Sequence, residues 1–464
     1  MTVTFSSELA EIRFGCGLSP VVAAPSSVGD MLDGLNGPDD MARRFPITPF
    51  SDYSPRIGEF RDIRIRQRRL DDPDAALKLQ DQARQLSRAA RADMAGWYAR
   101  HLLRCSQTAT ALRERLQAFW SDHFTTVGKT SLFQFAGSPF EEEVIRPRMT
   151  GKFADLLIAV TTHPMMLQFL DQQGSAGPNS PLAKSRKRKG GGLNENLARE
   201  VLELHTLGVD GGYSQTDVRE LAKLLTGMTM TKAGQFKFDA RMIEPGPETV
   251  LGQSYGQAEI GVDAIHAVLR DLAAHPSTAR HLARKLAVHF VSDAPDAALV
   301  DHLATRYSDS GGDLMAVYAA LLNHPSAWVP GLRNVKPPQA YVASACRALA
   351  ITPDMIGGFS PREIMRAIMV PTRLMGQPWQ RASGPDGFTE EDTAWITPQG
   401  LSARVRWAMT VPARLRADLP DPRGFVDQAL GGFATDPVRF AASAAETRAH
   451  AIGLLPSSPA FQRR

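Results

Sequence analysis

Apolar residues recur three and four positions apart along most of the chain, the spacing that places them on one face of an α-helix. This pattern predicts helices over 74–104, 108–126, 139–148, 151–161, 193–208, 215–227, 261–273, 277–291, 296–308, 312–323, 336–350, 361–370, 398–416 and 436–453. Alternation with a period of two is confined to 235–239 and 249–251, which together make one hairpin at most. The pattern therefore predicts a mainly α fold: a large multi-helical body with long loops and at most a short β-hairpin.

Several predicted helices have marked starts. Ser214 followed by Asp217 has the spacing of a capping box. Three His-Pro pairs, at 163–164, 275–276 and 324–325, each follow an apolar helical run. Because proline fits the first turn of a helix, we expect these pairs to be helix–turn–helix joints.

Two stretches interrupt the helical pattern. Residues 172–192 are rich in small polar and basic residues and predict an exposed, flexible loop. Residues 376–387 are rich in proline and glycine and predict a second loop, which Trp395 follows. Neither stretch separates regions of different composition, so we expect one helical domain over 1–464.

Composition and charge argue against several classes of protein. The 464 residues are 43% apolar and carry a formal net charge of only +4. The basic runs at 61–69 and 184–189 are short and separate, so we expect no nucleic-acid partner. Three distant cysteines without a Cys-x-x-Cys motif argue against a zinc knuckle and a disulfide framework.

The sequence also gives expectations about location. No stretch reaches the roughly 18 apolar residues that a membrane-spanning helix requires, so we expect no membrane span. The first residues, 1–14, lack the basic start and apolar run of a secretory signal peptide. The sequence therefore predicts a cytoplasmic protein.

The segment 193–208 predicts a helix with an unusual distribution of polar residues. At about 100° per residue its leucine and valine residues share one apolar stripe. Polar residues line both edges of that stripe: Asn196, Glu200 and Glu203 on one side, and Asn194 and His205 on the other. A carboxylate at the edge of a core loses water and needs a hydrogen-bond partner, a cation, a metal ion or a proton. Glu200 is therefore a candidate metal ligand or general acid/base.

A structural role accounts for the same residues. Arg199 and Glu203 are four positions apart and can pair on the helix itself. Buried Arg–Glu networks of that kind fix helix packing. The structural and the functional interpretation both stay open on the sequence alone.

The segment 119–124 places an imidazole within a second apolar stripe. His123 falls near the centre of the stripe, whereas Asp122 falls well off it and is expected to be exposed. His123 is either a core residue bonded to a backbone carbonyl or a ligand or base. His289 lies at the edge of another stripe and is expected to be a packing residue.

Packed helices can combine inward histidines and carboxylates into one site. We therefore expect His123, Glu200 and Glu203 as catalytic residues. The expected binding residues, which orient them, are Asn196, Arg199 and His205. A divalent metal held by His123 and Glu200 is one form of this site, although Glu-x-x-Glu departs from the Glu-x-x-His spacing of di-iron bundles.

Taken together, these motifs resemble the bacterial DUF1800 family. The resemblance rests on an Asn-Glu-Asn-x-x-Arg-Glu helix at 194–200, on Phe-Trp-Ser-Asp-His-Phe at 119–124, and on segments 13–15, 213–218, 275–280, 285–286 and 376–378 with Trp395. It extends from about residue 8 to residue 416. The family's name records that its function is unknown, and the resemblance implies a mostly helical protein.

The resemblance also implies a partner. Members are often paired in bacterial genomes with a DUF1501 family protein, which resembles sulfatases and commonly carries a twin-arginine export signal. This suggests a partner or assembly factor, exported beside that protein, and the alternative is a metal-dependent or acid/base enzyme. One departure concerns Glu244, which stands where relatives usually have a histidine, so a site that uses this histidine would be altered here.

Overall fold

Helices make up most of the protein, which confirms the predicted mainly α fold. The structure, a computed structural model, describes residues 4–185, 192–257 and 261–464. Within these ranges no helix combines the length and the apolar composition that a bilayer-spanning helix needs.

The α-helices up to residue 185 are α1 (Ser7–Leu9), α2 (Val28–Asn36), α3 (Asp40–Arg44), α4 (Phe50–Tyr53), α5 (Pro55–Arg69), α6 (Pro73–Gln107), α7 (Ala111–His123), α8 (Gly137–Phe140), α9 (Phe153–Thr161), α10 (Pro164–Phe169) and α11 (Pro181–Ser185). Those between 192 and 348 are α12 (Asn196–Glu200), α13 (Gln215–Leu224), α14 (Val262–Ala274), α15 (Pro276–Phe290), α16 (Ala297–Asp309), α17 (Leu314–Asn323) and α18 (Pro338–Ala348). The last group is α19 (Pro353–Gly357), α20 (Pro361–Ile364), α21 (Val370–Leu374), α22 (Asp392–Trp395), α23 (Pro398–Thr410), α24 (Pro412–Leu415), α25 (Pro422–Leu430), α26 (Asp436–Ala444), α27 (Arg448–Ser457) and α28 (Pro459–Gln462).

Shorter helical segments join or extend these helices. The segments with a wider π-helical turn are Ala10–Phe14, Glu141–Ile145, Val201–Thr206 and Met365–Met369. The 3-10 helices are Ser131–Phe135, Gln172–Gly174, Ala240–Met242, Pro325–Trp328 and Gly431–Phe433.

The apolar pattern predicts most of the long helices but misses three: α2, α5 and α25. Helix α5 shows the reason, because only Ile57 and Ile63 of its 15 residues are buried. Such a sparse stripe gives no clear helical period. The basic run at 61–69 therefore lies on a helix that contacts α6 along its length.

Each of the three His-Pro pairs starts a helical segment, as predicted. The histidine is the N-cap in every case, and its Nδ1 accepts a hydrogen bond from the second backbone N–H after it, at 3.1–3.2 Å. Because a helix begins with unpaired N–H groups, a cap of this kind stabilises its first turn. The predicted capping box of Ser214 and Asp217 is also present.

The strands form two hairpins. Strands β1 (Met228–Met230) and β2 (Phe236–Phe238) pair antiparallel, and so do β3 (Glu248–Val250) and β4 (Gln253–Tyr255). The two stretches predicted as strands thus belong to different hairpins and do not pair with each other. In the second hairpin the connecting residues Leu251 and Gly252 both have positive φ, which is typical of a type I′ turn.

The predicted loop at 172–192 differs in part from the expectation of exposure. Gln172, Ser175 and Ser180 are buried, and Gln172 donates from Nε2 to the carbonyl of Leu225 at 2.9 Å. The buried amide and hydroxyls tie this stretch to the body, a feature that composition does not show. Residues 186–191 of the predicted loop lie outside the described residues.

One contiguous cluster of buried apolar side chains extends from Leu9 to Phe461. Helix α7 lies inside it and is buried on most of its surface. Helix α6 contacts α5, α18 and α20, while α15 and α16 pack against each other. This packing places residues from both ends of the sequence, such as Ile12 and Arg464, around the same cavity as α7.

Candidate functional site

The predicted polar helix consists of α12 and the π-helical segment Val201–Thr206. His205 and Thr206 are fully buried, whereas Leu204 is only half-buried. A π turn contains more residues than an α turn and rotates the side chains that follow it. For this reason His205, predicted at the edge of the stripe, points into the core.

The carboxylates of this helix do not form the predicted Arg199–Glu203 pair. Arg199 donates from Nη2 to Gln215 Oε1 at 3.0 Å and to Glu195 Oε2 at 3.4 Å. Asn196 is exposed, and Glu200 and Glu203 are half-buried. Burial, together with the charges of Glu203 and Asp386, raises the pKa of Glu200 to about 7.

His123 lies in a cluster of histidines rather than beside the glutamates. Its Nε2 is 3.3 Å from the carbonyl oxygen of His205, and its ring centroid is 6.2 Å from those of His205 and His281. Burial and the nearby Lys285 charge hold the pKa of His123 well below its usual value, and burial lowers that of His205 to about 3. These imidazoles are therefore neutral at pH 7.

A metal site requires several donor side chains that converge on one point. Nowhere in the described ranges do three or more His, Cys, Asp or Glu side chains form a group arranged to hold a metal ion. The Nδ1 atoms of His123 and His205 are buried without a hydrogen-bond partner. The residues present thus do not fit the expected metal site of His123 with Glu200.

A cavity of about 130 Å³ lies along α7, which lines it from Glu114 to Asp122. At the 10–15 Å³ that one water requires by this measure, it holds roughly ten water-sized groups. Its walls come from α7, the start of α18, the N-terminal segment, the loop between α21 and α23, and the C-terminal segment. The polar and aromatic side chains among its lining residues include Glu114, Arg115, Gln117, Ser121, Asp122, Glu141, His289, Lys336, Trp379, Gln380, Glu390, Trp395 and Arg464.

The roof of the cavity is the stretch 377–395, which is fastened at both ends. Near one end, Gln377 Oε1 accepts a hydrogen bond from the backbone of Gln339 at 2.8 Å. Near the other, the backbone N–H of Phe388 donates to Asp122 Oδ1 at 2.9 Å. Trp379 and Trp395 are buried in this roof, and neither indole N–H has a hydrogen-bond partner.

Four charged or titratable side chains form a chain of contacts on one wall. Arg115 Nη2 lies 2.9 Å from His289 Nε2, and His289 Nδ1 lies 2.6 Å from Glu390 Oε1. Because an arginine only donates, His289 accepts at Nε2 and carries its proton on Nδ1. Burial lowers the pKa of His289 to about 4, so the imidazole is neutral beside the ionised Glu390. Arg464 Nη2 is 3.7 Å from the other Glu390 oxygen.

Lys336 completes this wall. Its Nζ donates to the carbonyl of Phe461 at 2.8 Å and lies 4.2 Å from the centroid of that ring. Burial and the charges of Arg464 and Arg115 lower the pKa of Lys336 to about 7. A lysine in this state can accept a proton as well as donate one near neutral pH.

Two carboxyl groups that also line the cavity have the opposite shift. Burial raises the pKa of Asp122 to about 7 and that of Glu141 to about 8. Glu141 opens the π-helical segment after α8, and Asp122 lies in the last turn of α7. Between them Gln117 donates from Nε2 to Ser121 Oγ at 3.1 Å, while its Oε1 is buried without a partner.

Two thiols also line the cavity. The side-chain hydrogen bond with Cys16, followed by burial, raises the pKa of Cys105 well above its usual value. A cysteine that keeps its proton is a poor nucleophile. The cavity therefore favours proton transfer by its carboxyls and its lysine over thiol chemistry.

Sequence reasoning missed this site for identifiable reasons. Asp122, expected to be exposed, is half-buried, because the 377–395 stretch contacts it. His289, expected to be a packing residue, contacts both Arg115 and Glu390. The one sequence feature that pointed to this site was the Pro/Gly-rich stretch 376–387, followed by Trp395. Its composition predicts a loop but does not show which residues the loop covers.

Glu244, which the resemblance marked as a departure, lies away from this cavity. It is buried, and its two oxygens accept hydrogen bonds from the backbone N and Nδ2 of Asn179, at 2.8 and 2.5 Å. Its own N–H donates to Thr226 Oγ1 at 2.9 Å. In this chain the glutamate holds residues 177–180 against the start of the first hairpin.

The fold and the cavity define a mainly helical protein with a cavity lined by titratable side chains. The chain belongs to the family described as "Protein of unknown function (DUF1800)", whose model matches residues 27–463. No curated protein and no solved structure matches the chain.

Proposed function

We propose that this chain is an enzyme that carries out acid–base chemistry on a small molecule held in the cavity. The observation that carries the proposal is that one cavity is lined by groups with opposite shifts. Asp122 and Glu141 keep protons near neutral pH, while Lys336 is ready to lose one. Titratable groups whose environments push their pKa values toward neutrality are typical of general acids and bases.

The roles follow from position. Asp122 and Glu141 are the proton donors, and Lys336 is the base. Gln117 Oε1 and the indole N–H groups of Trp379 and Trp395 orient the substrate, because they are buried and have no protein partner. The stretch 377–395 excludes water from the reaction.

The test is depletion of a metabolite. Purified protein is incubated with a small-molecule extract of bacterial cells, and mass spectrometry compares the wild type with Asp122→Asn and with Glu446→Gln, an exposed control. We expect at least one metabolite that the wild type and Glu446→Gln consume and that Asp122→Asn consumes at least about 100-fold more slowly. Consumption by none of the three, or equally by all three, would overturn the proposal.

The second candidate is an acid/base site at Glu200 and Glu203 on the polar helix. It is favoured by the pKa of Glu200, which burial and the charge of Glu203 raise to about 7. Its test is Glu200→Gln in the same depletion assay. Loss of turnover in this variant, with Asp122→Asn unaffected, would favour it over the cavity.

A partner role beside a DUF1501-like protein is a separate proposal. It is supported by the resemblance and by exposed apolar side chains one turn apart on α23, Leu401 and Val405. Co-purification of the two proteins, compared with a Leu401→Ser, Val405→Ser variant, tests it. Equal recovery from wild type and variant contradicts this surface, and fractionation of cells tests the cytoplasmic location against export.

A further inference from the structure

We propose that the ligand of the cavity is a small organic acid, whose anionic group binds to the wall formed by Arg115, Lys336 and Arg464. This inference rests on the proposed function only in using the same cavity. It concerns what the site binds, so it can be tested without observing turnover. With a pKa of about 7, Lys336 exists in both protonation states near neutral pH, so it can pair with the anion when protonated and act as the base when neutral.

The first argument is an excess of positive charge. Arg115, Lys336 and Arg464 are at most 5% exposed, and the cavity wall offers them one close carboxylate, Glu390. Glu390 is already engaged by His289 at 2.6 Å. Buried cations without enough anions are costly, so an anion in the cavity would relieve the excess.

The surrounding carboxylates offset this excess only in part. Glu390, Asp392 and Asp293 favour the charged form of Arg464, yet burial and the charge of Arg115 still lower its pKa to about 9. Asp392 Oδ1 accepts a hydrogen bond from the backbone of Val335 at 2.5 Å, and its other oxygen lies 4.0 Å from Arg463. Glu114 forms two hydrogen bonds with Arg146, at 2.7 and 2.9 Å. Both carboxylates therefore already have partners outside the cation wall.

The second argument is a surplus of donors. Arg464 is 4% exposed, and its Nε and Nη1 have no hydrogen-bond partner, while Arg115 Nε has none either. Lys336 uses one of its three N–H groups on Phe461. The unpartnered Nε and Nη1 of Arg464 lie on different sides of its guanidinium group, so each offers a separate charged donor to an anionic oxygen.

The rest of the cavity indicates the body of the ligand. Trp379, Trp395 and Phe388 also line it, and the two indoles each offer a free N–H. With room for roughly ten water-sized groups, the cavity fits a monocyclic or short-chain acid with a hydrogen-bond acceptor away from the acid group.

The experiment is a paired thermal-shift and calorimetric titration. Small aromatic and aliphatic carboxylic acids are each compared with their own primary amides, at constant ionic strength, on the full chain. We expect acids to raise the melting temperature and their amides not to, because only the acid pairs with the cation wall. Lys336→Met and Arg464→Gln should each weaken binding about ten- to hundredfold.

Two variants serve as matched controls. Arg270→Gln removes an exposed arginine of α14 that does not line the cavity, and Lys78→Met removes an exposed lysine, so both should bind acids like the wild type. Binding of amides as tightly as acids, unchanged acid binding in both folded cavity variants, or no acid binding at all would overturn the inference. If acids bind but no metabolite is consumed, the proposed function fails and the inference stands. If the protein consumes a neutral metabolite but binds no acid, the inference fails and the proposed function stands.

Discussion

Asp122 gives the cavity its clearest signature at the scale of single residues. Burial raises its pKa from 3.8 to about 7, so the folded protein binds this proton more tightly than the unfolded chain. The resulting stability is fully present below pH 3.8 and is lost as the pH rises through about 7. The Asp122→Asn variant has no carboxyl group at this position, so it lacks this pH-dependent contribution to stability. The free energy of unfolding of the wild type, minus that of the variant, should therefore fall across this window.

Urea denaturation at a series of pH values measures that difference. Asp354→Asn, at an exposed position in α19, is the control and should follow the wild type at every pH. A wild-type minus Asp122→Asn difference that stays constant with pH would contradict the assigned environment of Asp122.

Glu200 allows a second prediction. It shares its surroundings with Glu203 and Asp386, and its pKa of about 7 means that the repulsion grows as the pH rises through that value. Glu200→Gln should therefore stabilise the protein by about 0.5 kcal/mol at pH above 7 and by less at lower pH. Thermal unfolding at the two ends of the range checks this, with Glu446→Gln as the exposed control. Destabilisation at high pH would mean that Glu200 has a favourable partner.

At the residue scale the sequence located polar positions more reliably than their partners. It predicted that Glu200 lies at the edge of the core, and the half-burial of Glu200 agrees. It could not predict that Arg199 pairs with Glu195, or that Glu390 reaches His289. Those contacts depend on how distant segments pack, which helical periodicity does not encode.

Among the elements, the π-helical segments mark where the sequence-based geometry fails. Two of them contribute to the cavity, through Ile12 and Glu141, and a third turns His205 into the core. A helical wheel assumes one constant angle per residue, and an inserted residue changes the face of everything that follows. The positions of most long helices could thus be predicted, but the directions of the side chains in these π-helical segments could not.

The covering stretch 377–395 can be tested through one glycine. Gly387 has φ +82°, and a Cβ there would come within 2.8 Å of the Asp122 carbonyl oxygen. Gly246 has φ +102°, and a Cβ added there would have no atom within 4 Å. Its substitution by alanine therefore measures the backbone strain alone, without a steric clash. Gly387→Ala should cost about 3 kcal/mol and Gly246→Ala about 1 kcal/mol. Chemical denaturation measures both, and equal costs would contradict the close contact of the roof with α7.

For the whole molecule, the central observation is that the cavity collects residues from Ile12 to Arg464. The sequence predicted the helical class and most helices from local periodicity alone. The cavity required long-range packing, including Arg146, which joins Glu114 on α7 to Asp39 before α3. Such networks depend on tertiary structure, so no local sequence pattern predicts them.

This network gives a prediction about global stability. The Glu114–Arg146 pair is almost wholly buried, whereas Asp427 and Arg439 form an exposed pair. Glu114→Gln leaves a buried guanidinium short of a partner and should cost about 3 kcal/mol. Asp427→Asn should cost less than about 1 kcal/mol. Urea denaturation distinguishes the two, and similar losses in both variants would contradict the burial of the network.

The most direct test of the cavity as the functional centre is turnover of the consumed metabolite by Asp122→Asn and Glu200→Gln, measured side by side. The cavity predicts that Asp122→Asn loses about 100-fold or more in rate, whereas Glu200→Gln stays within about twofold of the wild type. The opposite pattern, with Glu200→Gln inactive and Asp122→Asn fully active, would contradict the account and return the site to the polar helix at 196–206.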